Sequence, residues 1–169
     1  MRVIIDVDLE FLEQGIRLVD DQLDRLKHEA RGSPDPDAYG DYDRMEYATG
    51  LGFVICQQYL SARAMAYGLT KGEALRAGPV HRAGVHIAVA VNDAANYWKH
   101  SPEWGTGPFD PRAQATRERL ESLEVDLGDS YPMSVVLSTL LSPLPPRFGR
   151  LLPFLERWSD AVHEVGSTK

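Results

Sequence analysis

One cysteine, Cys56, is all the chain has, and it lies inside the apolar run GFVICQQYL. A lone thiol closes no internal disulfide and forms no C-x-x-C, so a disulfide framework, a dithiol redox centre and a cysteine zinc site are all excluded. Long apolar runs are missing as well: no stretch reaches the ~18 uninterrupted apolar residues that read as a membrane span. The opening MRVIIDVDLE carries acids at positions 6, 8 and 10, where an export signal would start basic. These absences predict a cytoplasmic protein with no membrane association. Basic excess is also lacking, since the net charge is −7. Nucleic acid is held by a basic face, so the overall charge lends RNA no support as a partner and leaves only a local patch open to it. An acidic surface suits a basic protein partner, and solubility alone also accounts for it. Finally, there is no H-E-x-x-H, no glycine-rich phosphate loop and no G-x-S-x-G. The nearest approach to a di-metal Glu-x-x-His pair is Asp160-x-x-His163. Neither a metal nor a cofactor is expected.

What is present is helix. At 169 residues the chain fits one domain, spanning 1–169, able to bury roughly 70% of its unfolded surface. Ile5, Leu9, Leu12, Ile16, Val19, Leu23 and Leu26 recur at 4-3-4-3-4-3 spacing, which is the stripe of a helix packed along a seam. Asp6, Glu10, Glu13, Asp20, Asp21 and Asp24 occupy its other faces, and Gly32-Ser33-Pro34-Asp35-Pro36 ends it. That stripe is expected to pack on the second helix, the last helix or a second copy of itself. Asp43-x-x-Glu46 reads as a capping box opening a second helix that stops at Gly68. Its sequence is apolar nearly all round, which predicts a central position, and Gly50 and Gly52 permit a neighbour to approach closely. Thr70 and Glu73 predict a short third helix closed by Gly78-Pro79, and the fourth is expected over about 81–100. Asp110-Pro111 opens a fifth over about 111–124, a sixth runs over about 132–142, and the last covers Leu152–Val165. Phe154, Leu155, Trp158, Val162 and Val165 form its apolar stripe, with Pro153 in the first turn. The expected fold is an all-α, single-domain helical bundle of five to seven helices, with helices 1, 2, 4 and the last as its core. The competing reading takes RVIIDVD and VHIAVAV as strands with Asp6, Asp8 and Asp93 near their ends, an α/β arrangement that lacks a third strand.

Chemistry concentrates between Arg82 and Trp104, RAGVHIAVAVNDAANYWKHSPEW. Polar groups on a mostly buried helix cost free energy unless they are bonded or used. Asp93, Asn96, Tyr97 and His100 stand at i, i+3, i+4 and i+7 and make one polar ridge, on which Asn96 is placed to orient the His100 ring. Asp93, Asn96, Lys99 and His100 are therefore the catalytic candidates. Tyr97, Glu103 and Trp104 are binding candidates beside them, with Arg82 and His86. Such a ridge suits proton transfer or the binding of a phosphate or base, and equally a buried network joining this helix to its neighbours. His86, Asp93 and His100 are two turns apart, about 10.5 Å each, too far to share one metal ion. His81, Arg82 and His86 gather where the fourth helix should begin, and free N–H groups there would add to an anion site.

Asn96, Tyr97, Trp98, Lys99, His100, Glu103 and Trp104 resemble a segment of bacterial all-helical proteins in which a helix ends N-Y-[F/W]-K-H-x-x-E-W. Helical proteins of that look include the HEPN superfamily, whose bundles place an R-x(4–6)-H pair for metal-independent RNA cleavage in toxins and phage-defence systems. The likeness covers about a sixth of the chain, and Arg76–His81 and Arg157–His163 satisfy the spacing of the pair. The resemblance implies a small bacterial protein of toxin–antitoxin or phage-defence type with an RNA- or nucleotide-directed polar site. The alternative is a non-enzymatic acidic antitoxin or immunity protein, or a helical homodimer joined through helix 1.

Overall fold

The computed structural model describes residues 7–105 and 108–168. Seven α-helices follow in order: α1 Val7–Gly32, α2 Asp41–Ala66, α3 Lys71–Leu75, α4 Ile87–Trp104, α5 Pro111–Glu121, α6 Pro132–Leu141 and α7 Leu152–Ser167, with a 3-10 turn at Phe148–Arg150 before the last. No strand occurs among the described residues beyond one isolated bridge between Val80 and His86. The fold class is thus all-α. The α/β reading is overturned where it can be seen, because Ile87–Val91 is the first turn of α4, while residues 1–6, including Ile5 and Asp6, lie outside the described residues.

The heptad of α1 turns inward. Leu12, Ile16, Val19, Leu23 and Leu26 are all buried, and the helix packs antiparallel against α2. Gly15 makes the approach close, since a Cβ there would stand 2.9 Å from Ile55. The stripe is therefore covered within the chain by α2, and no second copy is needed for it. Asp20 is not a solvated acid: it is buried, and its carboxylate accepts from the Phe148 and Gly149 amides at 2.9 Å each, fixing the 3-10 turn on α1.

α2 is the central element, in contact with α1, α3, α4, α6 and α7. Its two glycines serve the close approach expected of them. Trp98 of α4 lies over Gly50, and the buried Phe148 ring lies over Gly52, so neither position has room for a Cβ. Its start differs from expectation. The helix begins at Asp41 behind Gly40, which takes a left-handed conformation (φ 68°) and provides no side-chain cap. Glu46 does not close a box with Asp43. It reaches across to the first turn of α6, where it accepts from the Ser134 amide at 2.9 Å and the Ser134 hydroxyl at 2.7 Å. A helix N-terminus exposes unpaired N–H groups that attract a carboxylate from any element, so an acid near a helix start need not cap its own helix.

The remaining boundaries follow local chemistry. Thr70 and Glu73 form the full capping box of α3, and the Asp110 carboxylate accepts from the Arg112 and Ala113 amides at 2.8 and 2.9 Å. Those two amides hold the Asp110 carboxyl below the usual range. α4 begins later than the expected position 81. Gly84 (φ 82°) turns the chain, and the His81 and Ile87 amides bond the Val85 and Pro79 carbonyls, so His81 and Arg82 precede the helix. At its far end α4 runs through Pro102, and Tyr97 and Trp104 hold that last turn with an edge-to-face ring contact at 5.8 Å. In α7, Leu155, Trp158 and Val162 are buried, whereas Val165 is exposed. The core extends beyond helices 1, 2, 4 and 7, since α6 buries Met133, Val136, Leu137, Leu140 and Leu141.

Candidate functional site

α4 buries most of its first half, with Ile87, Ala88, Ala90, Val91, Ala94 and Ala95 in the core. Asn92 and Asp93 are carried into the same environment, at 6% and 1% exposure, so both must be satisfied by other elements. Asp93 is met by Arg119 of α5. The guanidinium donates through Nε to one carboxylate oxygen and through Nη2 to the other at 3.1 Å, a two-point pair. Asn92 adds an amide donor at 3.2 Å. Burial pushes the Asp93 carboxyl up from the usual carboxylate range, while Arg119, Asn92 and Lys71 pull against it. Desolvation is the larger effect and the shift is upward.

The ridge expected from spacing is divided by this packing. Asn96 does not orient His100. Its side-chain oxygen accepts from Gln57 of α2 at 2.8 Å, and the same Gln57 amide donates to the Asn92 side chain at 2.9 Å. Lys99 donates to the Gln57 oxygen at 2.6 Å, so Gln57 joins three α4 side chains to the central helix. Tyr97 donates to the Leu127 carbonyl at 3.1 Å. His100 stands apart, 47% exposed, with Glu103 at 3.4 Å. Asn96, His100, Glu103 and Trp104 line a cleft of about 490 Å³ with Asp110, Arg112 and Thr116. Arg82 lies elsewhere, in a groove shared with Tyr131, Ser134 and Ser138 of the α6 region. The ridge as one catalytic unit is not what the packing builds.

A different constellation is brought together on the other side of Asp93. A cleft of about 390 Å³ opens between α3, the turn before α4, and α5, lined by Arg76, His86, Asn92, Asp93 and Arg119, with Gly72, Leu75, Gly84, Val85 and Val89. The Arg76 guanidinium lies beside Gly72. Lys71, one residue before Gly72, is near enough to Asp93 to favour its charged form, and its own ammonium is pushed down by burial and then by Lys99. His86 caps no backbone amide of α4, and its Nδ1 is buried with no hydrogen-bond partner among the described residues. A buried ring nitrogen without a protein partner is uncommon. His81 contrasts with it. Its Nε2 bonds the Thr139 carbonyl at 3.2 Å and its Nδ1 accepts from the Ala83 amide at 3.2 Å, so both nitrogens are spent on structure.

Of the residues picked out by sequence, the structure joins His86 and Asp93 here and leaves the others elsewhere. Arg76, Lys71, Arg119 and Gln57 were missed. The one signal for Arg119 was indirect: Asp93 inside an Ala/Val run demands a cation from a neighbouring helix. The two spacing-matched Arg–His pairs do not form sites. Arg76 faces the cleft while His81 bonds Thr139, and Arg157 and His163 lie exposed on α7, with Arg157 bonded to the Pro153 carbonyl. The buried Cys56 thiol is pushed up to about 12, chiefly by burial, and has the character of a core residue. Among the described residues no group of three or more His, Cys, Asp or Glu side chains is arranged to hold a metal ion. No helix of the described chain is long and apolar enough to cross a membrane. No protein-family model, curated protein or solved structure matches this chain.

Proposed function

We propose that this protein binds a small phosphate-bearing ligand, of mononucleotide size, in the cleft between α3, α4 and α5. The observation that carries the reading is the local reversal of charge. In a chain of net charge −7, Arg76 and Arg119 line one cleft with Lys71 near enough to act on Asp93, and Asp93, the only acid among the described lining residues, is already paired. Arg119 is 44% exposed while its partner carboxylate is buried, so part of the guanidinium fork remains free to meet a second anion. The His86 ring lies along the cleft, and Leu75, Val85 and Val89 offer an apolar wall for the rest of the ligand. The volume, about 390 Å³, is in the range of small-molecule sites. A place in a toxin–antitoxin or phage-defence system, as the N-Y-W-K-H-x-x-E-W likeness implies, fits a nucleotide-directed site of this kind, and the phosphate end of an RNA belongs to the same ligand class. The reading assigns binding and no bond-breaking step.

A thermal-shift panel of inorganic phosphate and the four nucleoside monophosphates tests it. A binder present at 100 times its Kd adds about 2.7 kcal/mol, a rise of several degrees in Tm for a domain of this size. A panel that leaves Tm unmoved at millimolar ligand contradicts it.

A second reading has its own observation. Glu10 and Asp21 are exposed on the outer side of α1, beside Asp24, which Arg147 pairs at 2.9 Å, and a basic protein partner would find a matching surface there, as an acidic antitoxin or immunity protein requires. Recovery of such a partner in a pulldown should fall as ionic strength rises past about 0.15 M, and salt-independent recovery counts against it.

A further inference from the structure

The cleft at the polar end of α4, about 490 Å³, stands in line with the cationic one. On α4 the lining residues Val89, Asp93, Asn96, His100 and Trp104 recur at 4-3-4-4 spacing, which keeps them on one helix face. On α5, Arg119, Thr116 and Arg112 recur at 3-4 spacing and do the same. Asp93 meets Arg119, while Asn96 and His100 share their cleft with Thr116 and Arg112, so the two rows face each other in opposite chain directions. The first cleft lies before the Asp93–Arg119 pair along this seam and the second lies beyond it. Arg119 is therefore a rib between them, with part of its guanidinium exposed.

The two clefts differ in charge. In the first, Asp93 is spent on Arg119 and Arg76 is left over. In the second, Glu103 and Asp110 outnumber Arg112 among the described lining residues, so it has no excess of cation to attract another phosphate. What it offers is suited to a flat neutral group with polar edges. The Trp104 and His100 rings have faces for stacking, the Glu103 carboxylate accepts hydrogen bonds, and Asn96, whose side-chain oxygen Gln57 takes, keeps its amide N–H donors. A nucleobase has a π-face and donors and acceptors on its edges.

We infer that the α4–α5 seam binds two nucleosides joined by one phosphate. The phosphate sits on the Arg119 rib beside Arg76, one nucleoside lies against the apolar wall of the first cleft, and the base of the other lies against Trp104 and His100 in the second. The inference rests on the phosphate site proposed above and adds the second nucleoside to it. Asp93 and His100 are seven residues apart, about 10.5 Å along the helix, which leaves room for that nucleoside beyond the phosphate.

Isothermal titration into the full chain separates the two claims. For the nucleoside whose monophosphate binds best, three ligands are compared: that monophosphate, the methyl phosphodiester of the same nucleoside, and its dinucleoside monophosphate. The last two carry the same phosphodiester and differ by one nucleoside. The dinucleoside monophosphate should bind at least ~10-fold more tightly than the methyl diester. Trp104→Ala and His100→Ala should each remove most of that advantage and leave the affinity for the monophosphate as it was. Circular dichroism confirms that each variant is folded. Trp104 packs on Tyr97, whereas His100 has Glu103 as its polar partner, so His100→Ala carries the test if Trp104→Ala unfolds. Equal binding of the two diesters by the wild type overturns the inference and leaves the phosphate site standing, as does an advantage that survives in every folded variant. Binding of none of the three ligands removes the phosphate site and the inference together.

Discussion

Asp93 and Arg119 form an unequal pair. The carboxylate is buried and the guanidinium is 44% exposed, so each residue does something different when the other is removed. In Asp93→Ala, Arg119 can turn to water and the loss should be about 1–2 kcal/mol. In Arg119→Ala, an uncompensated carboxylate is left in the core, and the loss should be larger, about 3 kcal/mol. The pH dependence has a definite sign. Burial already raises the folded-state value of Asp93, and removing Arg119 takes away the strongest influence holding it down. An acid whose folded value lies above its unfolded value loses stability as pH rises through that interval, so Arg119→Ala should gain in Tm as pH is lowered from 7 toward 5. A variant whose melting curve is unchanged over that range would contradict the assignment. His100 is the converse case. Half exposed, and with Glu103 as its polar partner among the described residues, it should tolerate replacement by Ala with a Tm change of about 2 °C or less in thermal unfolding. A drop of several degrees would mean that the ring is structural.

The residue scale also shows where sequence reasoning stops. The need of Asp93 for a partner was legible, because a carboxylate amid alanines and valines has no local remedy. The identity of that partner was not. α5 carries Arg112, Arg117 and Arg119, and only the packing of Ala113, Thr116 and Leu120 against the core decides which arginine reaches α4. Asn96 and His100 were correctly placed a turn apart on one helix, yet spacing does not reveal that Gln57 would take Asn96. His86 was grouped with His81 and Arg82 by proximity, and the turn at Gly84 separated them.

At the scale of elements, the helices with strong periodicity or a proper cap stood where expected: α1 from its heptad, α3 from Thr70 and Glu73, and α5 from Asp110 and Pro111. One misplaced boundary arose where a tertiary contact took over a local signal, as with Glu46 on α6, and another where α4 runs on past Pro102 with a Tyr97–Trp104 ring contact inside the helix itself. The hairpin of α1 and α2 makes two demands that can be measured. Leu12→Asp puts a charge at a buried position of the seam, and should cost several kcal/mol or prevent folding. Gly50→Ala puts a methyl where the Trp98 ring lies and should cost about 1–3 kcal/mol by overpacking. Circular dichroism melts check both, and wild-type behaviour in either would refute the packing of α2 against that neighbour.

For the whole molecule, the net charge of −7 conceals a local exception, the cleft beside Asp93 that Arg76 and Arg119 line. Composition reports the sum and is blind to such a patch, which is why the overall charge lent RNA no support and left only a local patch open to it. The polar center of α4 is accordingly two things at once. Gln57, Asn92, Asn96 and Lys99 bind it to the central helix, and Asp93 holds Arg119 at the mouth of the cleft. The most direct measurement is isothermal titration of a nucleoside monophosphate into the wild type and into Arg76→Glu. Among the described residues Arg76 has no ion pair of the Asp93 kind, so its reversal should leave the fold intact while opposing the phosphate. Saturable binding by the wild type that weakens at least ~100-fold in Arg76→Glu, at unchanged Tm of the free protein, is the predicted result. Equal binding by both proteins, or heat from neither, would contradict the assignment of the cleft.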